Sequence, residues 1–254
     1  MRVLVTRPVR EAQRWVADLQ RQGIDAASLP LLAIGPAPDA DAVRRAWERM
    51  AAVDAVMFVS ANAVDQFFLL KPALQPLFHA RAWAPGPGTR DALLCAGLSL
   101  QSIDAPAPEA AQLDSQSLWD QVGDQLGAGQ RVLVVRGGDA DGIGAGRDWL
   151  AAQLGDRGVA VETLVAYTRS RPTWSGAQLQ LARVGARDGS LWLFSSSEAI
   201  GHLRALLPQE AWKDARALAT HPRIAAAASA AGFGVVSVSR PTLADVVASI
   251  ESIR

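Results

Sequence analysis

"FVSANAV" at residues 58–64 and "LFSSSEAI" at residues 193–200 are each an apolar run that ends in small hydroxyl residues and then turns polar. Each reads as a buried strand handing over to a helix, because Ser and Asn satisfy the first free N–H groups of a helix. The same order of elements surrounds both copies. "VLVT" (3–6) leads into "EAQRWVADLQRQG", where Trp15, Val16 and Leu19 share a face and Gly23 is a helix stop. "RVLVVRG" (131–137) leads through a Gly-rich loop into "RDWLAAQLGDRG" and then "VAVETLVAY". "AVMFVS" precedes "ANAVDQFFLL", and "RAWAPG" (81–86) precedes "TRDALLCAG" and a strand "LSLQSI". In the second half "SLWLFSS" precedes "EAIGHLRALLP", and "RIAAAASAAG" (223–232) precedes "VVSVS". Strands alternating with amphipathic helices predict parallel sheets built from βαβ units.

Val3 matches Val132, Gly23 matches Gly158, Phe58 matches Phe194 and Gly97 matches Gly232, all at a spacing of about 130 residues. Landmarks in one order at one spacing amount to an internal duplication, with a period the size of a domain rather than of a solenoid unit. Domain boundaries stay open at this level. A tandem cut falls near Gly127–Gln130, whereas proline-punctuated stretches at 30–41 and 166–174 are two places where the chain can cross between domains.

Composition narrows the classes. Half of the 254 residues are hydrophobic, enough for a sizeable core, and Lys+Arg equals Asp+Glu at 25 each. No global field therefore points to nucleic acid or an anionic membrane. Only Lys71 and Lys213 are lysine; the other basic residues are arginine, the side chain suited to bidentate carboxylate or phosphate binding. Cys95 is the only cysteine, in the apolar "DALLCAG", and reads as a buried structural thiol. The first residues already form a strand with no signal-peptide pattern, and no apolar run reaches the roughly 18 residues of a membrane helix. A soluble cytoplasmic protein is the expectation.

Catalytic equipment is scarce. His79, His202 and His221 are scattered, with no HExxH or His/Cys cluster to hold a metal, and no G-x-S-x-G elbow or P-loop is present. "GGDADGIGAGRDWL" (137–150) is Gly-rich after a strand, but its glycines fall outside the G-x-G-x-x-G register. What the chain offers instead is a set of strand ends with small or hydroxyl residues at helix starts: Thr6–Arg7, Ser60–Asn62, Gly86–Thr89, Arg136–Gly137, Ser195–Ser197 and Pro222–Arg223. In a parallel sheet such ends share one edge, where backbone N–H groups and helix dipoles favour anions. Any one of these is explained by simple N-capping; six on a duplicated scaffold fit a polyanion held at many points. Tyr167, the only tyrosine, lies at one of the candidate crossings and could donate a proton or shape the site. The eight tryptophans read mostly as core.

"VLVTRP…LQRQGIDAASLPLLAI", "DAVMFVSANAV", "VLVVRG…RGVAVETLVAYTRSRP", "LWLFSSSEAI" and "RIAAAASAAGF" together resemble the uroporphyrinogen-III synthase family, in order over nearly the whole chain. The resemblance implies an α/β protein of two similar doubly wound parallel-sheet domains, joined by a two-stranded linker, with a cleft between them. It places 1–35 plus 173–254 in one discontinuous domain and 38–166 in the other, with linkers at 35–38 and 166–173. It implies a lyase that closes the linear tetrapyrrole hydroxymethylbilane to uroporphyrinogen III, losing water and inverting ring D through a spiro intermediate. It implies a reaction without metal or organic cofactor and a partner that is the small-molecule substrate alone, with neither nucleic acid nor membrane expected.

By the same resemblance Tyr167 is the proton donor, and Ser60, Ala61, Asn62, Thr89, Ser196 and Ser197 are strand-end contacts to the substrate. Arg7, Arg136 and Arg223 are the arginines at those strand ends. "APGPGTRDA" and "THPRIAAA" depart from the small-residue pattern of the family, and the loop carrying Arg147 is longer than its compact form. Neutral charge and the lack of interaction tails point to a monomer. Two other readings compete: a two-lobed protein that binds a small polyanion without chemistry, and a dinucleotide or nucleotide-sugar enzyme using the loop near 137–146.

Overall fold

The computed structural model describes residues 1–139 and 149–253, so most of the Gly-rich loop, with Arg147, lies outside the described residues. The chain divides into two compact units, Met1–Ala33 with Ser170–Arg254, and Ile34–Arg169.

The first unit holds β1 (Val3–Val5), α1 (Val9–Arg21) and β2 (Ala26–Ser28). The chain then enters the second unit through β3 (Ala33–Gly35), α2 (Ala40–Glu48), β4 (Ala55–Phe58), α3 (Ala61–Leu69), β5 (Arg81–Trp83), α4 (Pro87–Cys95), β6 (Ile103–Asp104) and α5 (Ser115–Val122). There follow β7 (Arg131–Gly138), α6 (Trp149–Asp156) and β8 (Ala160–Ser170). The return to the first unit runs through α7 (Gly176–Gly185), β9 (Leu191–Phe194), α8 (Ser197–Leu206), β10 (Arg216–Ala219), α9 (Pro222–Ala230), β11 (Val235–Val238) and α10 (Leu243–Ile253).

Among the described residues the strands form two sheets, ordered β11-β10-β9-β1-β2 and β3-β8-β7-β4-β5-β6. Read from the other edge, the second is β6-β5-β4-β7-β8-β3, so β4 stands where β9 stands and β7 where β1 stands. The pairings β1·β9, β9·β10, β4·β7 and β4·β5 are all parallel. Each unit thus takes its β-strands from the front of one repeat and the back of the other. Helices pair likewise across the repeats: α4 and α9 are nine residues each, with Pro at the first turn of both. The helix-ending glycines pair too, Gly23 with Gly158 (φ 73 and 75) and Gly97 with Gly232 (φ 97 and 96). These are left-handed values that only glycine adopts without penalty, which is why the glycines survive in both copies.

Strands that read as unbroken apolar runs are buried on both faces, as a covered parallel sheet requires. Alternate residues feed different cores. Val3, Val5, Leu191 and Leu193 meet α1 and α10, while Leu4, Trp192 and Phe194 meet α7, α8 and α9. In the second unit Ala55, Met57, Val132 and Val134 meet α5 and α6, and Val56, Phe58, Leu133 and Val135 meet α2, α3 and α4. Trp47 anchors that second face, stacking on Phe67 at 4.6 Å and donating its indole N–H to the Phe67 carbonyl at 2.9 Å. Trp192 does the same in the first unit, donating to the Gly185 carbonyl at 2.9 Å and meeting Trp212 edge-on at 5.3 Å.

Three expectations change. Cys95 is exposed, not buried: α4 turns Thr89 and Leu93 inward, and a residue two positions past Leu93 faces the opposite side. "LSLQSI" is largely a 3-10 turn at Leu100–Ser102, leaving only Ile103–Asp104 as strand. Trp149 is more than a third exposed, outside the core that the tryptophans were expected to build. The units divide at 33/34 and 169/170, and residues 35 and 166–170 are strand, because β3 lies beside β8 in the second sheet. No helix among the described residues is long and apolar enough to cross a membrane.

Candidate functional site

In an open parallel sheet the strand order reverses at a switch point, and the loops on either side of it splay apart into a ligand crevice. The switch point lies between β1 and β9 in the first unit and between β7 and β4 in the second. The sequence-selected residues fall at the C-terminal ends of those strands and of the next strand along.

In the second unit these ends carry Arg136–Gly137, Ser60–Asn62 and, after β5, Thr89. Ser60 is the N-cap of α3: its backbone is extended and its Oγ accepts from the Ala63 N–H at 3.1 Å. The same Oγ lies 3.0 Å from the Tyr167 phenol oxygen, joining residues 107 positions apart in the chain. Tyr167 comes from β8, with its side chain buried at 3% exposure. It reaches Ser60 across β7 because the register shifts between Arg136 and Gly137, so that Gly137 rather than Gly138 stands opposite it. A Cβ at Gly137 would lie 2.5 Å from the Tyr167 Cζ, so the ring occupies the space that any other residue there would fill. Arg169 donates to the Gly137 carbonyl at 3.4 Å on the same side. Ala61 and Asn62 open α3, Arg136 is buried, and Thr89 is buried in the first turn of α4.

The first unit places Arg7, Ser196 and Ser197 at its switch point and Arg223 at the next strand end. Thr6 ties the two strands together, its Oγ1 donating to the Leu193 carbonyl at 2.7 Å. Arg7 folds back along α1: its guanidinium lies 4.4 Å over the Trp15 ring and donates to Glu11 at 3.2 Å. Burial pulls its pKa below the ordinary arginine value, the Glu11 carboxylate opposes that, and the Arg14 charge adds to it. Ser196 is the N-cap of α8 but makes no side-chain capping bond, and the buried Ser197 Oγ has no hydrogen-bond partner among the described residues. Arg223 is exposed in the first turn of α9, its backbone N–H donating to Nδ1 of the N-cap His221 at 3.1 Å.

Of the selected residues, then, Ser60 and Tyr167 are brought into direct contact, while Arg7, Ser196, Ser197 and Arg223 stand on the other unit. Two residues gained meaning only from the structure. His221 is a helix cap, a role hidden by reading histidines for metal ligation. Gly137 makes room for the tyrosine, and its signal was a glycine closing a strand otherwise rich in valine.

Fold and strand-end chemistry define a doubly wound α/β protein of two flavodoxin-ordered units, the class that takes ligands at its switch points. The family model for uroporphyrinogen-III synthase HemD matches residues 13–248. Among solved structures, a mutant uroporphyrinogen III synthase from Thermus thermophilus is similar at 18% identity and a TM-score of 0.57, over 99% of this chain and 98% of that one. A uroporphyrinogen-III synthetase from Helicobacter pylori is similar at 17% identity and a TM-score of 0.55, over the whole of both chains. These two likenesses show the shared fold. The chain belongs to the uroporphyrinogen-III synthase family. It is accordingly an enzyme of porphyrin and heme biosynthesis that makes uroporphyrinogen III from a tetrapyrrole, and the reading as a binding module without chemistry is not favoured.

Proposed function

We propose that this chain closes hydroxymethylbilane as a cyclising hydro-lyase that acts chiefly by positioning, with Tyr167 as its general acid. The reaction asks little covalent chemistry of the protein. The terminal hydroxyl takes up a proton and leaves as water, and the resulting cation is attacked by the substituted carbon of ring D. The spiro intermediate then fragments and recloses at the other carbon of that ring, releasing a proton, so that one water is lost overall. Unassisted closure gives the uninverted isomer. The protein must therefore hold a flexible chain in one conformation, an effect worth up to about 7–11 kcal/mol of barrier. A phenol donating to the departing hydroxyl adds roughly 10²–10⁴-fold.

The observation that carries this reading is the hydrogen bond between Ser60 and the only tyrosine, at the switch point of the second unit. The substrate bears eight carboxylates, which calls for many anion contacts rather than a catalytic triad. In this reading Ser60 offers its backbone N–H, Ala61, Asn62, Thr89, Ser196 and Ser197 offer strand-end amides and hydroxyls, and Arg136 and Arg223 offer charge, while Arg7 is held on Glu11 and Trp15. The enzyme works as a cytoplasmic monomer, with no metal or organic cofactor.

The test is to incubate the protein with hydroxymethylbilane and separate the macrocycle isomers. Predominant isomer III, formed faster than in buffer, is expected; isomer I alone at the buffer rate would sink the proposal. Within it, Tyr167→Phe should lower turnover on the order of a hundredfold with product affinity nearly unchanged, and unchanged turnover removes the acid role.

A further inference from the structure

A serine hydroxyl has one proton to give and two lone pairs to receive with. At Ser60 the first turn of α3 has already used one lone pair, through the Ala63 N–H at 3.1 Å. A hydroxyl that accepts from a helix N-terminus becomes a better donor, because the bond polarises its O–H and the helix end adds partial positive charge. Among the described residues the Tyr167 phenol oxygen, at 3.0 Å, is the one acceptor within hydrogen-bond reach of that Ser60 proton. The opposite arrangement, with the phenol donating, would give Ser60 Oγ two donors and leave its own proton without a protein acceptor.

From this geometry we infer that Ser60 is a positioning residue: it donates its hydroxyl proton to the Tyr167 oxygen and thereby leaves the phenol proton as the one presented to substrate. The phenol O–H lies in the plane of its ring, so once Ser60 occupies one in-plane direction the proton takes the other. The ring cannot rotate away, since it is buried and fills the space left by the missing Cβ of Gly137. The relay runs from the start of α3 through Ser60 to Tyr167, and every bond in it points toward the phenol oxygen.

The other repeat shows that this arrangement is not a by-product of the scaffold. Ser196 occupies the position of Ser60, at the N-cap of α8, and makes no side-chain capping bond. The residue at the position of Tyr167 is Leu32, which is buried and has no hydroxyl. The same strand–helix junction thus exists without the relay in one unit and with it in the other.

The inference rests on Tyr167 acting as the acid, and its test separates the two claims. Because Tyr167 is the only tyrosine, the tyrosine doublet in the Raman spectrum, whose intensity ratio distinguishes an accepting from a donating phenol, reports this residue alone. The ligand-free protein should give the accepting ratio. Ser60→Ala and Ser60→Asp should abolish it, and Ser60→Thr should restore it. Aspartate is a good cap but only accepts. If Ser60 serves the helix alone, Ser60→Asp keeps kcat; if it serves the phenol, kcat falls on the order of tenfold in both Ala and Asp and recovers in Thr. A donating ratio in the native protein, or native kcat in Ser60→Asp, overturns the inference while leaving the acid role standing. Unchanged turnover in Tyr167→Phe with an accepting ratio does the reverse, removing the acid and keeping the hydrogen bond.

Discussion

The β4–α3 and β9–α8 junctions are drawn from one pattern, an apolar strand, a serine and a helix, yet only one of them is wired. Ser60 closes the first turn of α3 and holds a tyrosine from the far side of β7. Ser196 makes no side-chain capping bond to its helix, and beside it Ser197 keeps a buried hydroxyl without a partner among the described residues. Duplication supplied a frame that either half could use, and the serine–tyrosine contact is made in one. A scaffold is cheap to copy because continuous apolar strands and amphipathic helices specify it redundantly; a three-residue contact needs one glycine, one register shift and one aromatic side chain together.

Removing the aromatic anchors is the strongest way to compare the frames. Trp47→Ala and Trp192→Ala each empty a fully buried site and should cost about 3–5 kcal/mol in urea unfolding. Similar losses would mark the two cores as equivalent supports, whereas a loss in only one would break the parallel. Next comes Gly137→Ala, whose Cβ would press on the Tyr167 ring; about 1–3 kcal/mol and most of the turnover should go with it. A glycine without such a role is Gly201 in α8, where a Cβ meets nothing within 4 Å, and thermal unfolding of Gly201→Ala should show a gain of about 0.5–1 kcal/mol.

A smaller contrast sets Ser60→Ala, which forfeits a cap and should cost about 1 kcal/mol, against Ser196→Ala, which forfeits none and should stay within about 0.5 kcal/mol. The smallest effect is one of pH, on the helices that follow the two crossings. Asp39 caps α2, and the Ala42 N–H, opposed by some desolvation and aided by Arg45, holds its carboxyl below the usual range. Because the folded value is depressed, this contribution is whole above the ordinary carboxylate range and fades as pH falls through the folded value. Ser175 caps α7 through a neutral capping box with Gln178. Protection of the α2 amides, taken relative to the intrinsic exchange rate, should therefore fall on acidification while that of α7 stays constant, and Asp39→Asn should flatten the difference.

The frame was legible in the chain because it obeys short-range rules. "AVMF" and "LWLF" are too apolar to be anything but covered strands, and Gly23, Gly97, Gly158 and Gly232 mark helix ends by their spacing alone. The site was legible only in parts. Ser60 and Tyr167 each stood out, but their contact depends on which strand lies between them and on a register shift at Gly137, neither of which leaves a local trace. Arg7 looked like an open anion ligand, and nothing in "VTRP" announces that it folds over Trp15 toward Glu11. Cys95 misled for a simpler reason: an apolar neighbourhood in sequence says little about which side of a helix a residue takes.

The interleaving of the repeats also orders the birth of the molecule. Thr6 bonds to a carbonyl 187 residues ahead of it, and at roughly 5–20 residues per second a ribosome needs about ten to forty seconds to make that partner. During that interval Ile34–Arg169 emerges as an uninterrupted stretch with all its own strands, while Met1–Ala33 trails outside as a sticky, unfinished beginning. Chains released from the ribosome shortly after Arg169 should then carry one protease-resistant body and a digestible leader, and the late-arriving β9 is what converts the leader into a second one.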